Sequence, residues 1–178
     1  MKTLTIETPL GTMLAGAVEH GICLLEFTDR KNLETELASL SRQLEFIEAK
    51  DSNKYFKSLK LQLGEYFVGK RKEFSIPLFT PGTEFQQLVW KTLQTISYGT
   101  TTSYKKQATA LENPGAIRAI AHANGMNRIA ILIPCHRVIG SDGHLTGYAG
   151  GLWRKKWLLD FEKSNLPNGC VQTNLFSN

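Results

Sequence analysis

Cys135 is followed directly by His136 and Arg137, at the end of the run Ile129-Ala130-Ile131-Leu132-Ile133-Pro134. A thiol is a strong nucleophile only as the thiolate, which becomes accessible near neutral pH when a base or a positive charge sits beside it. An adjacent imidazole can take the thiol proton, directly or through water. A carboxylate behind the ring would orient it and stabilise its charged form. Gly140, Gly143, Gly147, Gly150 and Gly151 make the following stretch a loop. The thiol thus stands where a buried strand meets a glycine-rich loop, a place that holds one atom rigidly and still admits a substrate. The same dipeptide also fits a buried cysteine beside a surface histidine.

Other chemistries find less support. Cys23, Cys135 and Cys170 lie far apart, with no Cys-x-x-Cys pair, and His20, His122, His136 and His144 lack zinc-ligand spacing, so neither a metal nor a cofactor is expected. An odd, sparse cysteine set fits free thiols in a reducing compartment. No stretch approaches the roughly 20 apolar residues of a membrane helix. The start alternates apolar and polar residues as a strand does, unlike a signal peptide, so the cytoplasm or the chromosome is the expected location.

The elements that must position the thiol follow from pattern. Residues 1–28 read as antiparallel strands, 31–43 and 52–68 as helices, and 74–78 as an edge strand carrying Pro77. Thr80-Pro81-Gly82-Thr83 marks a boundary, which divides the 178 residues into 1–80, 81–165 and a flexible tail, 166–178. Beyond it, Thr83 can cap a helix with Phe85, Leu88, Val89, Leu93 and Ile96 on one face. Ser103 can cap another through about Leu111. A third runs from Ala116 to about Ala123, closed by Gly125. The latter two make either a helix-turn-helix or an ordinary helical hairpin. A last helix, 152–161, offers Trp153, Trp157, Leu158 and Phe161 to the core. Residues 1–100 hold twelve basic and twelve acidic side chains, whereas 101–178 hold nine and four, so the whole net charge of +5 lies in the second half. A basic excess localised in this way attracts phosphate backbones, and it is also compatible with a plain solvated surface.

Pro134-Cys135-His136-Arg137-Val138, then Gly143-His144-Leu145-Thr146-Gly147-Tyr148-Ala149-Gly150-Gly151, then Lys155-Lys156-Trp157-Leu158-Leu159 and Glu162 form one ordered set. With Gly82-Thr83-Glu84-Phe85-Gln86, Ser103-Tyr104 and Arg118-Ala119-Ile120 upstream, this set closely resembles the O6-alkylguanine-DNA alkyltransferases over about residues 54–163. The resemblance implies an α/β ribonuclease-H-like N-terminal domain, an antiparallel sheet plus helices, followed by an all-α helix-turn-helix domain. It implies DNA repair in which the alkyl group of O6-alkylguanine, and of O4-methylthymine, passes once and irreversibly to Cys135. His136 would take the thiol proton through a water, Glu162 would hold His136, and Asn127 would brace the turn. The damaged base would be flipped out of a double-stranded partner bound through the minor groove. Arg118 would fill the vacated space. Tyr104 would push the phosphate and protonate the departing base. Val138, Tyr148 and Ala149 would form the base pocket, and Asn113 and Ser141 would touch the DNA backbone. The protein would act as a monomer away from any membrane.

The chain departs from the family at Arg128, where proline is usual, at Ala121, where glycine is frequent, and at Ala149, where some members have serine. The alternative on the same fold is a non-catalytic alkylated-base binding protein, against which Cys135 itself argues. A cysteine hydrolase would bring its histidine from a distant segment. A plain helix-turn-helix regulator has no use for the thiol.

Overall fold

Alternation through Thr3-Leu4-Thr5-Ile6 builds β1 (Lys2–Ile6), which pairs antiparallel with β2 (Met13–Val18), itself antiparallel to β3 (Gly21–Phe27). The computed structural model describes residues 1–44 and 53–167; the expected helix start at 52, Cys170 and the tail from 168 onward lie outside the described residues. β3 is buried along its whole length because chain from both halves seals its outer edge. Ile22 N–H donates to the Pro77 carbonyl at 2.9 Å and Phe79 N–H to that of Ile22 at 2.8 Å. Farther along, Leu25 N–H donates to the Arg128 carbonyl and Ala130 N–H to that of Leu25, both at 2.8 Å. The edge strand expected at 74–78 is therefore reduced to a single bridge, Leu78 to Ile22. Pro77 has no N–H and contributes only its carbonyl.

Helix α1 (Leu33–Gln43) follows the sheet, and α2 (Asn53–Phe67) packs across β1 and β2. The second half opens with α3 (Glu84–Gln94). Its start is a capping box: Gln86 N–H donates to Thr83 Oγ1 at 3.2 Å, and Thr83 N–H to Gln86 Oε1 at 3.0 Å. The buried stripe of α3 is Val89, Trp90 and Leu93. Leu88, expected on that face, is 50 % exposed, and Phe85 is also exposed. Trp90 displaces them because its indole N–H reaches the Ala123 carbonyl at 2.8 Å.

A short parallel pair, β4 (Thr102–Ser103) with β5 (Val138–Ile139), leads into α4 (Tyr104–Ala110), where Lys106 N–H donates to Ser103 Oγ at 3.1 Å. A 3-10 turn, Pro114–Ala116, connects to α5 (Ile117–Gly125). Val89, Ala108, Ile120 and Ala123 form a small core joining α3, α4 and α5, and Asn124 Nδ2–H donates to Gln107 Oε1 at 2.8 Å. The paired helices are thus fixed as a helix-turn-helix. Gly125 lies within the last turn of α5, and Met126 ends the helix.

Helix α6 (Leu152–Ser164) buries Leu158 and, in part, Trp157 and Phe161, whose rings stack at 4.8 Å. Trp153, expected in the core, is 57 % exposed, and Arg154 and Lys155 are buried instead. Arg154 is satisfied inside: it donates to the Leu10 and Gly150 carbonyls and to Asp29, each at 2.8 Å, and lies over the Phe27 ring. One large core, including Phe27, Leu59, Leu63, Ile129, Ile133, Val138 and Leu158, runs through both halves of the chain. Among the described residues no helix is long and apolar enough to cross a membrane.

Candidate active site

The run 129–133, expected as a buried strand, is folded into tight turns. Leu132 N–H donates to the Ala130 carbonyl at 2.9 Å and Ile133 N–H to that of Ile129 at 3.0 Å. Ile131 takes φ 72°, a left-handed conformation that costs a β-branched residue on the order of 1–3 kcal/mol. Burial of Ile129, Ile131 and Ile133 in the large core holds it there. The turns deliver Cys135 to the first position of a 3-10 turn, Cys135–Arg137. Asn127 fixes this arrangement through three bonds. Its Nδ2 donates to the Ile133 carbonyl at 2.8 Å and to Cys135 Sγ at 3.3 Å, and its Oδ1 accepts from Ile129 N–H at 3.0 Å.

Behind the thiol, Glu162 is a fully buried hub. Its Oε1 accepts from Tyr66 Oη at 2.8 Å and lies 2.9 Å from both His136 Nε2 and Arg137 Nη2. Its Oε2 accepts from Arg137 Nε at 2.9 Å and Gly99 N–H at 3.0 Å. Burial alone would raise the Glu162 pKa, but His136 and the Arg137 guanidinium outweigh it and hold the carboxyl well below the usual range. His136 is buried too, and burial lowers its pKa against the pull of Glu162, so the ring rests neutral. With Nε2–H donating to a carboxylate, the lone pair falls on Nδ1, which has no hydrogen-bond partner among the described residues.

Cys135 itself is only partly buried, yet its thiol is pushed up to about 11. Burial is the main cause and Glu26 adds to it; the Asn127 N–H, Lys155 and Arg30 work the other way. The positive charge expected beside the thiol is not supplied by Arg137. Arg137 is turned away, committed to Glu162 and, at 2.6 Å, to the Ile96 carbonyl. Burial thus favours the protonated form of the sulfur.

A cleft of about 290 Å³ opens in front of the sulfur, a size at the lower end of ligand pockets that suits a single flat ring system. Its walls bring together Cys135, Tyr104, Arg118, Tyr148 and Ala149, with Ala121, Thr146 and Gly147. Tyr104 Oη donates to the Thr146 carbonyl at 3.3 Å, and burial raises its pKa, so the phenol keeps its proton. Arg118 is exposed on the first turn of α5. The Val138 side chain is buried in the core and does not line the cleft, while its backbone lies in β5 opposite Thr102. Asn113 and Ser141 stand exposed outside the cleft. Arg128 is buried, and its Nη1 donates to Gln43 Oε1 at 3.2 Å. A larger cleft of about 740 Å³ lies against α3; Pro134 and Arg137 line it but Cys135 does not, so its size does not mark it as a reaction chamber. No group of three or more His, Cys, Asp or Glu among the described residues is placed to hold a metal.

Sequence reasoning missed three supports. Tyr66 looked like one of several aromatic core residues. Lys155 was given no role of its own within Lys155-Lys156-Trp157-Leu158-Leu159. Arg30, in the loop after β3, donates to Glu26 and Glu36 and to the carbonyls of Gly125 at 3.1 Å and Asn127 at 3.4 Å, tying the sheet to the turn below α5. Tyr66, within Leu63-Gly64-Glu65-Tyr66-Phe67-Val68-Gly69, and Lys155, within Lys155-Lys156-Trp157-Leu158-Leu159, carried a usable signal, and Arg30 carried none.

Two family models together cover most of the chain. The ribonuclease-like domain of 6-O-methylguanine DNA methyltransferase matches residues 1–80, and the DNA-binding domain of the same family matches residues 84–164. A methylated-DNA–protein-cysteine methyltransferase of Methanosarcina barkeri is 45 % identical over 161 residues, covering 90 % of this chain and 96 % of its own. The crystal structure of an O6-methylguanine methyltransferase of Mycobacterium tuberculosis superposes with a TM-score of 0.76 at 40 % identity, covering 93 % of this chain and 94 % of that one. A structure of OGT from the same organism in complex with DNA superposes equally well, at 40 % identity over 92 % of this chain and 94 % of that one.

Proposed function

The chain belongs to the 6-O-methylguanine DNA methyltransferase family, and from that premise we propose that it repairs DNA by moving the alkyl group of O6-alkylguanine onto Cys135. The observation that carries this reading is the convergence of Cys135, Asn127, His136 and Glu162. The sulfur faces a base-sized cleft, and the adjacent imidazole is neutral, with Nδ1 free to accept a proton.

The reaction balances without a cofactor. The Cys135 proton passes through a water to His136 Nδ1, and Glu162 stabilises the imidazolium that results. The sulfur lone pair forms a bond to the alkyl carbon as the O6–carbon bond breaks. The released electron pair returns to the base, which takes a proton from Tyr104 and leaves as guanine. Tyr104 is reprotonated by the proton that began on the thiol. The product is a thioether, too stable to reverse, so each molecule acts once. O4-methylthymine presents a similar alkyl carbon and is a second substrate.

A thiolate cannot reach that carbon inside a base stack, so the nucleotide is swung out of the duplex. Arg118, exposed beside the cleft, enters the gap. Tyr148 and Ala149 enclose the base, with the backbone of Cys135 and Val138 supplying polar contacts. Tyr104 presses the phosphate, and Asn113 and Ser141 meet the backbone on either side. Lys105 and Lys106 add positive charge on the exposed side of α4. The protein binds the minor groove as a monomer, which suits a lesion that can arise at any guanine. The domains divide at 80/81, and the protein works in the cytoplasm and on the nucleoid.

The test is transfer of tritium from duplex DNA carrying [methyl-³H]O6-methylguanine to protein. Wild type takes up label to one equivalent and Cys135→Ala takes up none while still binding the duplex. Tight binding by wild type without any labelled protein would instead establish a lesion binder.

A further inference from the structure

Arg30 lies in the loop between β3 and α1, and its side chain is 4 % exposed. Two carboxylates of the first half face it: Glu26 Oε1 stands 2.5 Å from Nη1, and Glu36 Oε1 stands 2.7 Å from Nη2. A guanidinium can grip a single carboxylate with two parallel N–H bonds, but Arg30 divides its donors differently. Each terminal nitrogen takes one carboxylate oxygen and also reaches across to the second half of the chain. Nη2 donates to the Gly125 carbonyl at 3.1 Å and Nη1 to the Asn127 carbonyl at a longer 3.4 Å. Glu26 Oε2 and Glu36 Oε2 are left buried with no hydrogen-bond partner among the described residues. A buried ion pair stabilises little over apolar packing, and unpaired oxygens weaken it further, so the stability of the first half does not account for the arrangement.

The two carbonyls do. Gly125 is the last residue of α5, and the helical partner of its carbonyl would be the N–H of Ile129. That N–H donates instead to Asn127 Oδ1 at 3.0 Å. The Arg30 guanidinium caps the open end, a cation at the negative end of the helix. Gly125 also lines the cleft in front of Cys135, as do Ala121 and Arg118 earlier on the same helix. Asn127, the second acceptor, carries the amide that donates to the Ile133 carbonyl at 2.8 Å and to Cys135 Sγ at 3.3 Å.

We propose that Arg30 is a positioning residue for alkyl transfer: by clamping the Gly125 and Asn127 carbonyls it fixes α5 against the cleft and the Asn127 amide against the sulfur. This deepens the alkyl-transfer reading above and rests on it. Arg30 acts through Asn127, and no proton moves to or from it. The Asn127 N–H favours the ionised sulfur, so a looser turn leaves the sulfur harder to ionise. The charge of Arg30 favours ionisation in the same direction, and Arg30→Lys separates the two effects because it keeps the charge and loses the planar fork.

Two measurements on variants shown to be folded by circular dichroism test this: single-turnover transfer, and iodoacetamide alkylation read on the Cys135 peptide as a function of pH. Arg30→Lys slows transfer by about tenfold or more from both an O6-methylguanine duplex and free O6-benzylguanine, as a small misplacement of reacting groups does. Its alkylation midpoint moves to higher pH, which a merely structural role would not cause in the folded protein. In an Asn127→Ala background the same change slows transfer less than about threefold further, because the link is already cut. Wild-type rates in Arg30→Lys, slowed transfer with an unmoved midpoint, or an undiminished further slowing of Asn127→Ala each overturn the proposal. Arg30→Met shows the same two changes, so either folded variant decides if the other does not fold, and rate with midpoint decides if the double variant does not. Absence of transfer by wild type from either substrate would sink the alkyl-transfer reading instead. The alkylation midpoint then judges Arg30 alone: higher in Arg30→Lys supports the proposal, unmoved overturns it.

Discussion

Tyr66 and Glu162, 96 residues apart, meet through a 2.8 Å hydrogen bond from phenol to carboxylate. The first domain's α2 thereby holds the same oxygen that orients His136, and the ribonuclease-like domain becomes part of the site's scaffold. Tyr66→Phe removes this one bond and little volume. A hydrogen bond to a charged acceptor is worth about 1.5–3 kcal/mol, so urea unfolding should show a loss of that size. The transfer rate should stay near wild type, because Arg137 and Gly99 still anchor the carboxylate.

Glu162 gives the fold an acid-sensitive element. Its folded pKa lies below the unfolded carboxyl value of about 4.3, so its contribution is fully present above that value and drains away as pH falls below it. Glu162→Gln leaves buried Arg137 without its partner and should cost about 3–5 kcal/mol at neutral pH. Urea midpoints measured from neutral pH down to about pH 3 should show the gap between variant and wild type narrowing in acid. A constant gap would assign the carboxyl an unshifted pKa.

Asn127→Ala removes the three bonds that join the end of α5 to the Cys135 turn. Leaving buried backbone groups unpaired costs about 1–3 kcal/mol each. The sulfur also loses the N–H that favours its ionised form. Melting temperature and transfer rate should fall together, whereas in Tyr66→Phe they should part.

Arg118→Ala addresses base extrusion alone. The side chain is exposed, so stability should not change. Unstacking a base costs a few kcal/mol, and losing the residue that fills the gap should slow transfer from duplex DNA by about 10–100-fold. Transfer from free O6-benzylguanine, which needs no extrusion, should match wild type. Equal slowing with both substrates would place Arg118 in the chemistry rather than in flipping.

Much of this was legible in the chain. The alternation of β1 and the caps at Thr83 and Ser103 are local signals, and local physics decides them. Cys135 and His136 are neighbours in sequence, so their pairing needed no fold. Two of the misreadings come from burial set by distant partners. Trp153, expected in the core, lies outside it, and Arg154 and Lys155 are buried instead because the Leu10, Thr146 and Gly147 carbonyls satisfy their charged ends inside. Arg137, two residues after the thiol in sequence, is drawn away by Glu162, 25 residues on. The strand expected at 74–78 shrinks to one bridge because Pro77 can accept but not donate. The run 129–133 is as apolar as a strand, but Asn127 and the strained Ile131 fold it into turns.

The central claim is that one sulfur, a thiol at rest, becomes the permanent acceptor of an alkyl group from DNA. Intact-protein mass spectrometry after incubation with an excess of O6-methylguanine duplex tests it most directly. The account predicts the mass of one added methyl and no more, mapped to the peptide containing Cys135 and absent from Cys135→Ala. An unchanged mass, or a methyl carried on Cys23 or Cys170, would contradict it.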